Sequence, residues 1–183
     1  MRSLLTTMLL ITAGIGSYLF QPVSIPKIDV RPMTPQQIED GLKAEQRQKV
    51  FNRAVRVSTR LYQQYRCSGD LADITAEVAM QYNLPVLLAT AVVIQESGCH
   101  ATAKSKAGAI GYWQIMPEMH GVSRTALYDR DTNFHTGAKL LAYLIHRFRS
   151  IDEGLANYFG VTPGSDKAYD YAYRVQEIAG IKT

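Results

Sequence analysis

One acidic side chain stands at the end of an apolar stretch. Glu96 follows Val92 and Val93 by one helical turn, in a segment (85–97) whose composition predicts a helix. Burial beside the apolar stripe and the negative end of the helix dipole both disfavour an ionised carboxylate, so the pattern predicts a raised pKa for Glu96. Such an acid can protonate a glycosidic oxygen near neutral pH. On residue type alone, the alternative is a surface glutamate at a frayed helix end.

The segment that follows Glu96 has the composition of a sugar-binding wall. Within "AGAIGYWQIMP", two glycines allow the backbone to approach a ligand closely. The same segment supplies flat apolar faces and one amide, from Tyr112, Trp113, Gln114 and Met116. Sugars need that pairing, because their C–H faces stack on apolar surfaces while their hydroxyl groups bind amides. The alternative for both aromatic residues is a place in the core, which is the favoured interpretation for Trp113.

Together these residues resemble the central motif of the soluble lytic transglycosylase family, which are lysozyme-like enzymes that cleave peptidoglycan glycan strands. The family pattern is Glu-Ser, a downstream Ser, and then Gly-Ala-x-Gly-x-x-Gln-x-Met-Pro. It is matched without a gap by Glu96, Ser97, Ser105, Gly108, Ala109, Gly111, Gln114, Met116 and Pro117. A match over about two dozen positions is far more specific than a short motif.

The similarity continues towards the C-terminus and covers roughly 72–178. Further matches to the family's helix and tyrosine motifs are Asn133, Gly137, Leu155, Ala156, Tyr158, Tyr171, Arg174 and Val175. The chain departs from the family segment Leu-Ala-x-Tyr-Asn-x-Gly at two points, since Phe159 replaces the Asn and Gly160 comes one position early. This departure affects a substrate hydrogen bond or a helix-end contact rather than the catalytic step.

The resemblance implies a lysozyme-like domain with a specific reaction. Glu96 would act first as acid and then as base, cleaving the bond between N-acetylmuramic acid and N-acetylglucosamine and leaving a 1,6-anhydro product. The candidate substrate-binding residues are Ser97, Ser105, Tyr112, Gln114, Met116, Asn133, Tyr158 and Tyr171. For Ser97 a polar role at the helix end is an equal alternative.

A second catalytic carboxylate is not evident, although ordinary glycosidases use two. Asp129 and Asp131 lie in a stretch typical of a turn and helix cap, and Glu118 has no obvious reach to Glu96. Two other functions remain open at this point. One is a hydrolytic lysozyme that uses a carboxylate such as Asp129, and the other is an inactive wall-binding component.

Metal and cofactor signatures are lacking in the sequence. His100, His120, His135 and His146 show no metal-ligand grouping, and no nucleotide-binding loop or Ser/His/Asp elbow occurs. We therefore expect neither a metal nor a cofactor. No base-reading motif accompanies the basic residues, so nucleic acid is not an expected partner.

The elements that must position these residues are all predicted helices. Asp70 is a candidate cap for a short helix, Asp131 for a longer one, Asp152 for another, and a last helix covers roughly 166–178. The apolar residues recur at helical spacing and strand patterns are weak. The predicted fold class is all-α.

A long basic helix is predicted ahead of this domain. Thr34 and Gln37 form a capping-box pattern around Pro35. The predicted packing face is Val50, Ala54, Val57, Leu61 and Tyr65, and the neighbouring basic stripe is Lys49, Arg53, Arg56 and Arg60. The stripe is typical of a solvated face, and the alternative is contact with an anionic surface such as lipid head groups, wall polymer or an acidic partner.

The N-terminal region indicates export. Residues 1–21 have the composition of a signal peptide or membrane anchor, 22–66 comprise a proline-containing tether and the basic helix, and 67–183 form the catalytic domain. The expected location is the periplasm, free or anchored at the inner membrane through residues 1–20, or a virion. In an exported chain Cys67 and Cys99 are expected to form a disulfide, the alternative being two buried thiols.

Expected partners follow from these features and from the substrate that the family implies. Peptidoglycan glycan strands would be the substrate, and proteins of an envelope-spanning assembly or of a virion would be the partners.

The net charge of +4 does not come from the catalytic domain. Segment 31–66 holds eight Lys or Arg against three Asp or Glu, whereas 67–183 holds ten against twelve.

Overall fold

Helices form the architecture throughout the part of the chain that the computed structural model describes, residues 34–160 and 165–181. Its seven α-helices are α1 Pro35–Gln64, α2 Ala72–Gln81, α3 Val86–Ser97, α4 Pro117–His120, α5 Arg130–Phe148, α6 Ile151–Tyr158 and α7 Asp166–Ile178. Short 3-10 turns occur at Gly69–Leu71 and Ala126–Tyr128, and the described residues contain no β-strand. The predicted all-α class is confirmed.

The N-terminal predictions can be compared with the structure only in part. The predicted signal peptide or anchor and the tether up to residue 33 lie outside the described residues. Across 34–160 and 165–181, no helix is both long enough and apolar enough to cross a membrane. α1 begins as predicted, because Thr34 and Gln37 exchange the two hydrogen bonds of a capping box and Pro35 occupies the first helical position.

Three predicted helix caps are wrong by a few residues. Asp70 does not cap α2, which has no side-chain cap, and lies in the 3-10 turn before that helix. α5 is capped by Asp129 rather than Asp131, because the Asp129 carboxylate accepts the N–H of Thr132 at 2.8 Å. Asp131 lies in the first turn of α5 and pairs with the preceding arginine. α6 is capped by Ser150 rather than Asp152, which lies in its first turn. A carboxylate in the first turn stabilises the positive helix end without capping it.

The buried face of α1 differs from the predicted one. Residues 34–50 are exposed, and only the second half of the helix packs on α2 and α3. The buried residues are Ala54, Ser58, Leu61 and Tyr62, whereas the predicted Val50 and Tyr65 are exposed. Two buried hydroxyl pairs explain this orientation. Ser58 bonds Thr90 of α3 at 2.9 Å, and Tyr62 bonds Thr75 of α2 at 2.8 Å.

The basic stripe of α1 lies on its free side. Arg53, Arg56 and Arg60 are exposed and form no ion pair within the described residues, while Lys49 pairs with Glu45 of the same helix. The stripe therefore does not hold the helix on the domain. Both interpretations, a solvated face and an anionic contact surface, are compatible with this position.

The core is organised around Trp113, which is fully buried. Its ring lies over Gly137 of α5, where an added Cβ would come within 2.4 Å of the indole. Phe134 packs against the same ring edge-on, with 6.1 Å between the ring centroids. Gly137 thus allows α5 to approach the loop between α3 and α4, which carries the motif residues.

The predicted disulfide is confirmed. Cys67, just after α1, is bonded to Cys99, which follows the left-handed Gly98 at the end of α3. The bond ties the last turn of α3 to the end of α1. Because Glu96 is in that last turn, the disulfide helps to fix the position of the helix end that carries it.

Candidate active site

Glu96 lies in the last turn of α3, whose preceding residues from Leu88 to Ile94 are all buried. Its own side chain is partly buried. Burial raises the pKa of Glu96 from 4.5 to about 7, and a hydrogen bond from Tyr171 lowers it by a smaller amount. This agrees with the predicted rise and with desolvation, one of its two predicted causes. At neutral pH the carboxyl group is therefore divided between its acidic and basic forms.

Tyr171 is the direct partner of Glu96. Its hydroxyl group, on the buried face of α7, donates to Oε1 of Glu96 over 2.5 Å. Burial and the nearby Glu96 carboxylate raise the pKa of Tyr171 well above its ordinary value, so the phenol keeps its proton. Because the phenol donates to the carboxylate, it stabilises the ionised form that remains after Glu96 gives up its proton.

Tyr158 connects α6 to the loop between α3 and α4. It ends α6, and its hydroxyl group donates to the backbone carbonyl oxygen of Trp113 over 2.7 Å. Burial raises the pKa of Tyr158 well above its ordinary value, and the Glu96 carboxylate acts in the same direction. The bond joins α6 to the motif loop, which is the segment between α3 and α4 (98–116).

A cleft of about 570 Å³ opens beside Glu96. Five of the predicted site residues line it, namely Glu96, Ser105, Gln114, Met116 and Tyr158. The lining residues that were not predicted to bind substrate include Met119, His120, Leu140, Leu144, Asn157 and Phe159. Among the described residues that line the cleft, Glu96 carries the single carboxyl group.

The motif loop is held in shape by its own polar side chains. The hydroxyl oxygen of Ser105 accepts the N–H of Ala109 at 3.0 Å. Gln114 has a positive φ of 47°, and its side-chain amide nitrogen donates to the carbonyl oxygens of Ala103 and Gly111. The side-chain carbonyl oxygen of Gln114 accepts no hydrogen bond from the described residues, so it is available to a ligand in the cleft.

Four predicted substrate-binding residues do not line the cleft. Tyr171 instead donates its hydroxyl hydrogen bond to Glu96. Asn133 is buried, accepts the N–H of Trp113 and donates to the carbonyl oxygens of Ile110 and Leu127. Ser97 donates to the carbonyl oxygen of Val93, the helix-end role that was its alternative.

Tyr112 is the fourth of these residues, and it faces another side of the molecule. Its ring packs on Phe134, with 5.2 Å between centroids. Burial, together with the charge of Asp70, raises the pKa of its hydroxyl group, and Arg130 opposes this rise. Tyr112 is therefore close to the start of α5 and to the turn before α2, which places it with the packing residues. The core position favoured for Trp113 is confirmed.

The unpredicted wall residues left little trace in the sequence. Leu140 and Leu144 are four residues apart on α5, so helical spacing could have placed them on one face. His120 follows the matched motif, and burial lowers its pKa, which favours the neutral imidazole. Phe159 appeared only as a departure from the family pattern.

The other carboxylates considered for catalysis have different roles. Asp129 caps α5, Asp131 pairs with Arg130, and Glu118 pairs with Arg124. All three are exposed and none is among the cleft residues. Among the residues that the structure describes, no group of three or more His, Cys, Asp or Glu could hold a metal ion.

The geometry thus defines an all-α domain with one partly buried acid in an open cleft. The family model of the transglycosylase SLT domain matches residues 73–175, more than half of the chain. The chain therefore belongs to the SLT transglycosylase domain family. The matched range begins one residue into α2, contains Glu96, the loop between α3 and α4, and α3 to α6, and ends within α7.

A solved structure supports the same fold. The chain is similar to an inactive mutant of the lytic transglycosylase Slt from Pseudomonas aeruginosa, with a TM-score of 0.51 and 19% sequence identity. The alignment covers 68% of this chain and only 28% of that protein. At this level of identity the likeness concerns the fold alone. It confirms the lysozyme-like all-α architecture expected from the sequence.

Proposed function

We propose that this protein is a peptidoglycan lytic transglycosylase that cleaves the β-1,4 bond between N-acetylmuramic acid and N-acetylglucosamine. The observation that carries the proposal is Glu96, the single carboxyl group of the cleft, with a pKa of about 7 and a hydrogen bond from Tyr171. Membership of the SLT domain family supplies the substrate class.

In the first step, protonated Glu96 gives its proton to the glycosidic oxygen, and the bond from that oxygen to C1 of the muramic residue breaks. The electron pair leaves with the N-acetylglucosamine hydroxyl group. The substrate's own acetamido group stabilises the positive charge that develops at C1, as in other substrate-assisted cleavage. Tyr171 stabilises the carboxylate that is left on Glu96.

In the second step, the Glu96 carboxylate removes the proton of the muramic C6 hydroxyl group. Oxygen O6 then bonds to C1 and closes the 1,6-anhydro ring. The proton that Glu96 lost is restored, no water is consumed, and the products together have the composition of the substrate. A pKa near neutrality suits both steps, because the same group must give and then accept a proton.

The remaining cleft residues would hold the glycan strand. The free carbonyl oxygen of Gln114 can accept a sugar hydroxyl or amide N–H, and Met116 offers an apolar surface. The Ser105 hydroxyl oxygen only accepts a hydrogen bond within its own loop, so its hydroxyl hydrogen can still be donated to a sugar oxygen.

The test is a digestion of purified peptidoglycan, followed by mass spectrometry of the soluble products. We expect anhydro-muropeptides from the wild type and none from Glu96→Gln. The matched control is Glu118→Gln, which removes an exposed carboxylate that is paired with Arg124 outside the cleft and should leave the products unchanged. Absence of anhydro products from the wild type, or equal amounts from Glu96→Gln, would contradict the proposal.

Hydrolysis on the same fold is the second candidate, and the same spectra separate it. Hydrolytic products carry one more water molecule at the reducing end. It is less favoured because Asp129, the carboxylate considered for positioning water, caps α5 outside the cleft. An inactive wall-binding component would retain peptidoglycan without releasing products.

Local opening of the wall for an envelope-spanning assembly, or for genome entry by a virion, is the biological role we propose. The apolar and uncharged run that follows Arg2 supports export, with the domain in the periplasm or held at the inner membrane. Fractionation of cells that express the full chain, with and without residues 1–20, tests this location. A domain that stays in the cytoplasm with that segment intact would contradict it.

A further inference from the structure

Phe159 stands where the family pattern has an asparagine, directly after α6. Its ring is stacked on the ring of Tyr171, with 4.8 Å between the centroids and 16° between the planes. Tyr171 in turn donates to Glu96. Phe159, the residue that departs from the family pattern, is thus linked to the proposed catalytic acid through Tyr171 alone.

One face of the Phe159 ring is covered, and the residue is still partly exposed in the cleft. Tyr171 is fully buried and covers one face. Phe159 nevertheless keeps 36% of its surface exposed and lines the cleft, so a ligand in the cleft can contact it. The stack restrains the ring before a ligand binds, so the Phe159 side chain would lose little conformational entropy on contact with a ligand. Leu140 and Leu144 continue the apolar wall.

We propose that Phe159 is a stacking platform for a pyranose ring of the glycan strand, in the sugar position next to Glu96. The proposal rests on the function proposed above, since it takes a glycan as the ligand of the cleft. An asparagine at this position would grip a hydroxyl or acetamido group by hydrogen bonds, whereas Phe159 offers only a flat apolar face. In this chain, therefore, Phe159 would bind the sugar by apolar contact where an asparagine would bind it by hydrogen bonds.

A competing role for the ring would be to shield the bond between Tyr171 and Glu96 from water. The two roles predict different measurements. A platform changes glycan affinity and KM, and it leaves the pH dependence in place. A shield changes the pKa of Glu96 and therefore shifts the alkaline limb of the pH profile, with little effect on affinity.

The first experiment measures binding in the Glu96→Gln background, where no cleavage occurs. Soluble glycan strands freed of stem peptides are titrated calorimetrically into the full-length protein. We expect Phe159→Trp to bind within about 2-fold of the parent, and Phe159→Leu to bind about 5- to 10-fold more weakly. The matched control is Tyr128→Leu, which removes an aromatic ring of 45% exposure outside the cleft and should leave binding unchanged.

The second experiment measures rates with the active enzyme on the same strands. For Phe159→Leu we expect KM to rise by a similar factor, kcat to stay within about 2-fold, and the alkaline limb to stay in place. Equal binding by the Leu and Phe forms would overturn the platform. So would an unchanged KM with a shifted limb, or a parent protein that does not bind glycan.

Failure of the platform and failure of the proposed function give different results. If anhydro products form but binding does not depend on the ring at position 159, the function stands and the platform fails. If binding depends on the ring but the wild type forms no anhydro products, the platform stands and the reaction is wrong. Far-UV circular dichroism of each variant confirms that the weaker binding comes from a folded protein.

Discussion

Replacing Glu96 by glutamine should stabilise the protein, and only at neutral and alkaline pH. A carboxyl group whose pKa is higher in the folded than in the unfolded state holds its proton more tightly when folded. Its ionisation therefore opposes folding. The cost is absent below the ordinary pKa of 4.5, grows between pH 4.5 and about 7, and is complete above that. Glutamine has the same shape, does not ionise, and can accept the Tyr171 hydrogen bond through its carbonyl oxygen.

The size of this effect follows from the pKa of Glu96. A rise from 4.5 to about 7, at about 1.4 kcal/mol for each pKa unit, corresponds to roughly 3 kcal/mol above pH 7. We expect Glu96→Gln to exceed the wild type in free energy of unfolding by about 2–3 kcal/mol near pH 8.5, and by less than about 0.5 kcal/mol near pH 4.

Urea unfolding at both pH values, followed by circular dichroism, measures the two differences. Glu118→Gln is the control, because the pKa of exposed Glu118 is lowered by hydrogen bonds and by Arg124, so no gain at alkaline pH is expected. An equal difference at both pH values would show that Glu96 titrates as an ordinary glutamate. A larger gain at pH 4 would mean that its pKa is lowered, and the proposed acid–base role would lose its basis.

Three further predictions concern the surroundings of Glu96. Tyr171→Phe removes the donor that favours the ionised form, so the pKa of Glu96 rises further; the alkaline limb of the rate profile should move up by about one pH unit while kcat falls about 10-fold or more. Gly137→Ala forces a methyl group into the Trp113 ring and should lower the free energy of unfolding in urea by about 2–3 kcal/mol. Gly41→Ala, whose added Cβ has no described atom within 4 Å, should not lower it. Reducing the disulfide, which closes a separation of 32 residues, should lower the free energy of unfolding by about 3–4 kcal/mol.

Much of the site could be predicted from local sequence. Glu96, Ser105, Gln114, Met116 and Tyr158 were predicted and line one cleft. Ser105, Gln114, Met116 and Tyr158 were found through the resemblance to the family's motifs, and Glu96 also through its place at the end of an apolar helix. The raised pKa of Glu96 could be predicted because the apolar turn that precedes it is local.

The predicted positions were wrong for side chains whose types suit either a sugar-binding cleft or the core. Asn133 and Tyr112 are polar or aromatic residues of types that bind sugars, yet Asn133 binds three backbone groups and Tyr112 packs on Phe134. Their partners come from segments distant in the chain. The face of α1 was misjudged for the same reason, because two buried hydroxyl pairs with α2 and α3 orient the helix.

By itself the sequence determined the helical class and the capping box of α1, and it predicted the pairing of Cys67 with Cys99 and a raised pKa for Glu96. These properties depend on local spacing or on residue chemistry. Only the tertiary structure decided that Tyr171 would reach Glu96 across 75 positions of sequence, and that Phe159 would stack on Tyr171 at the edge of the cleft. Such contacts depend on how α3, α6 and α7 pack together, because no pattern within any one of these helices specifies its distance from the others.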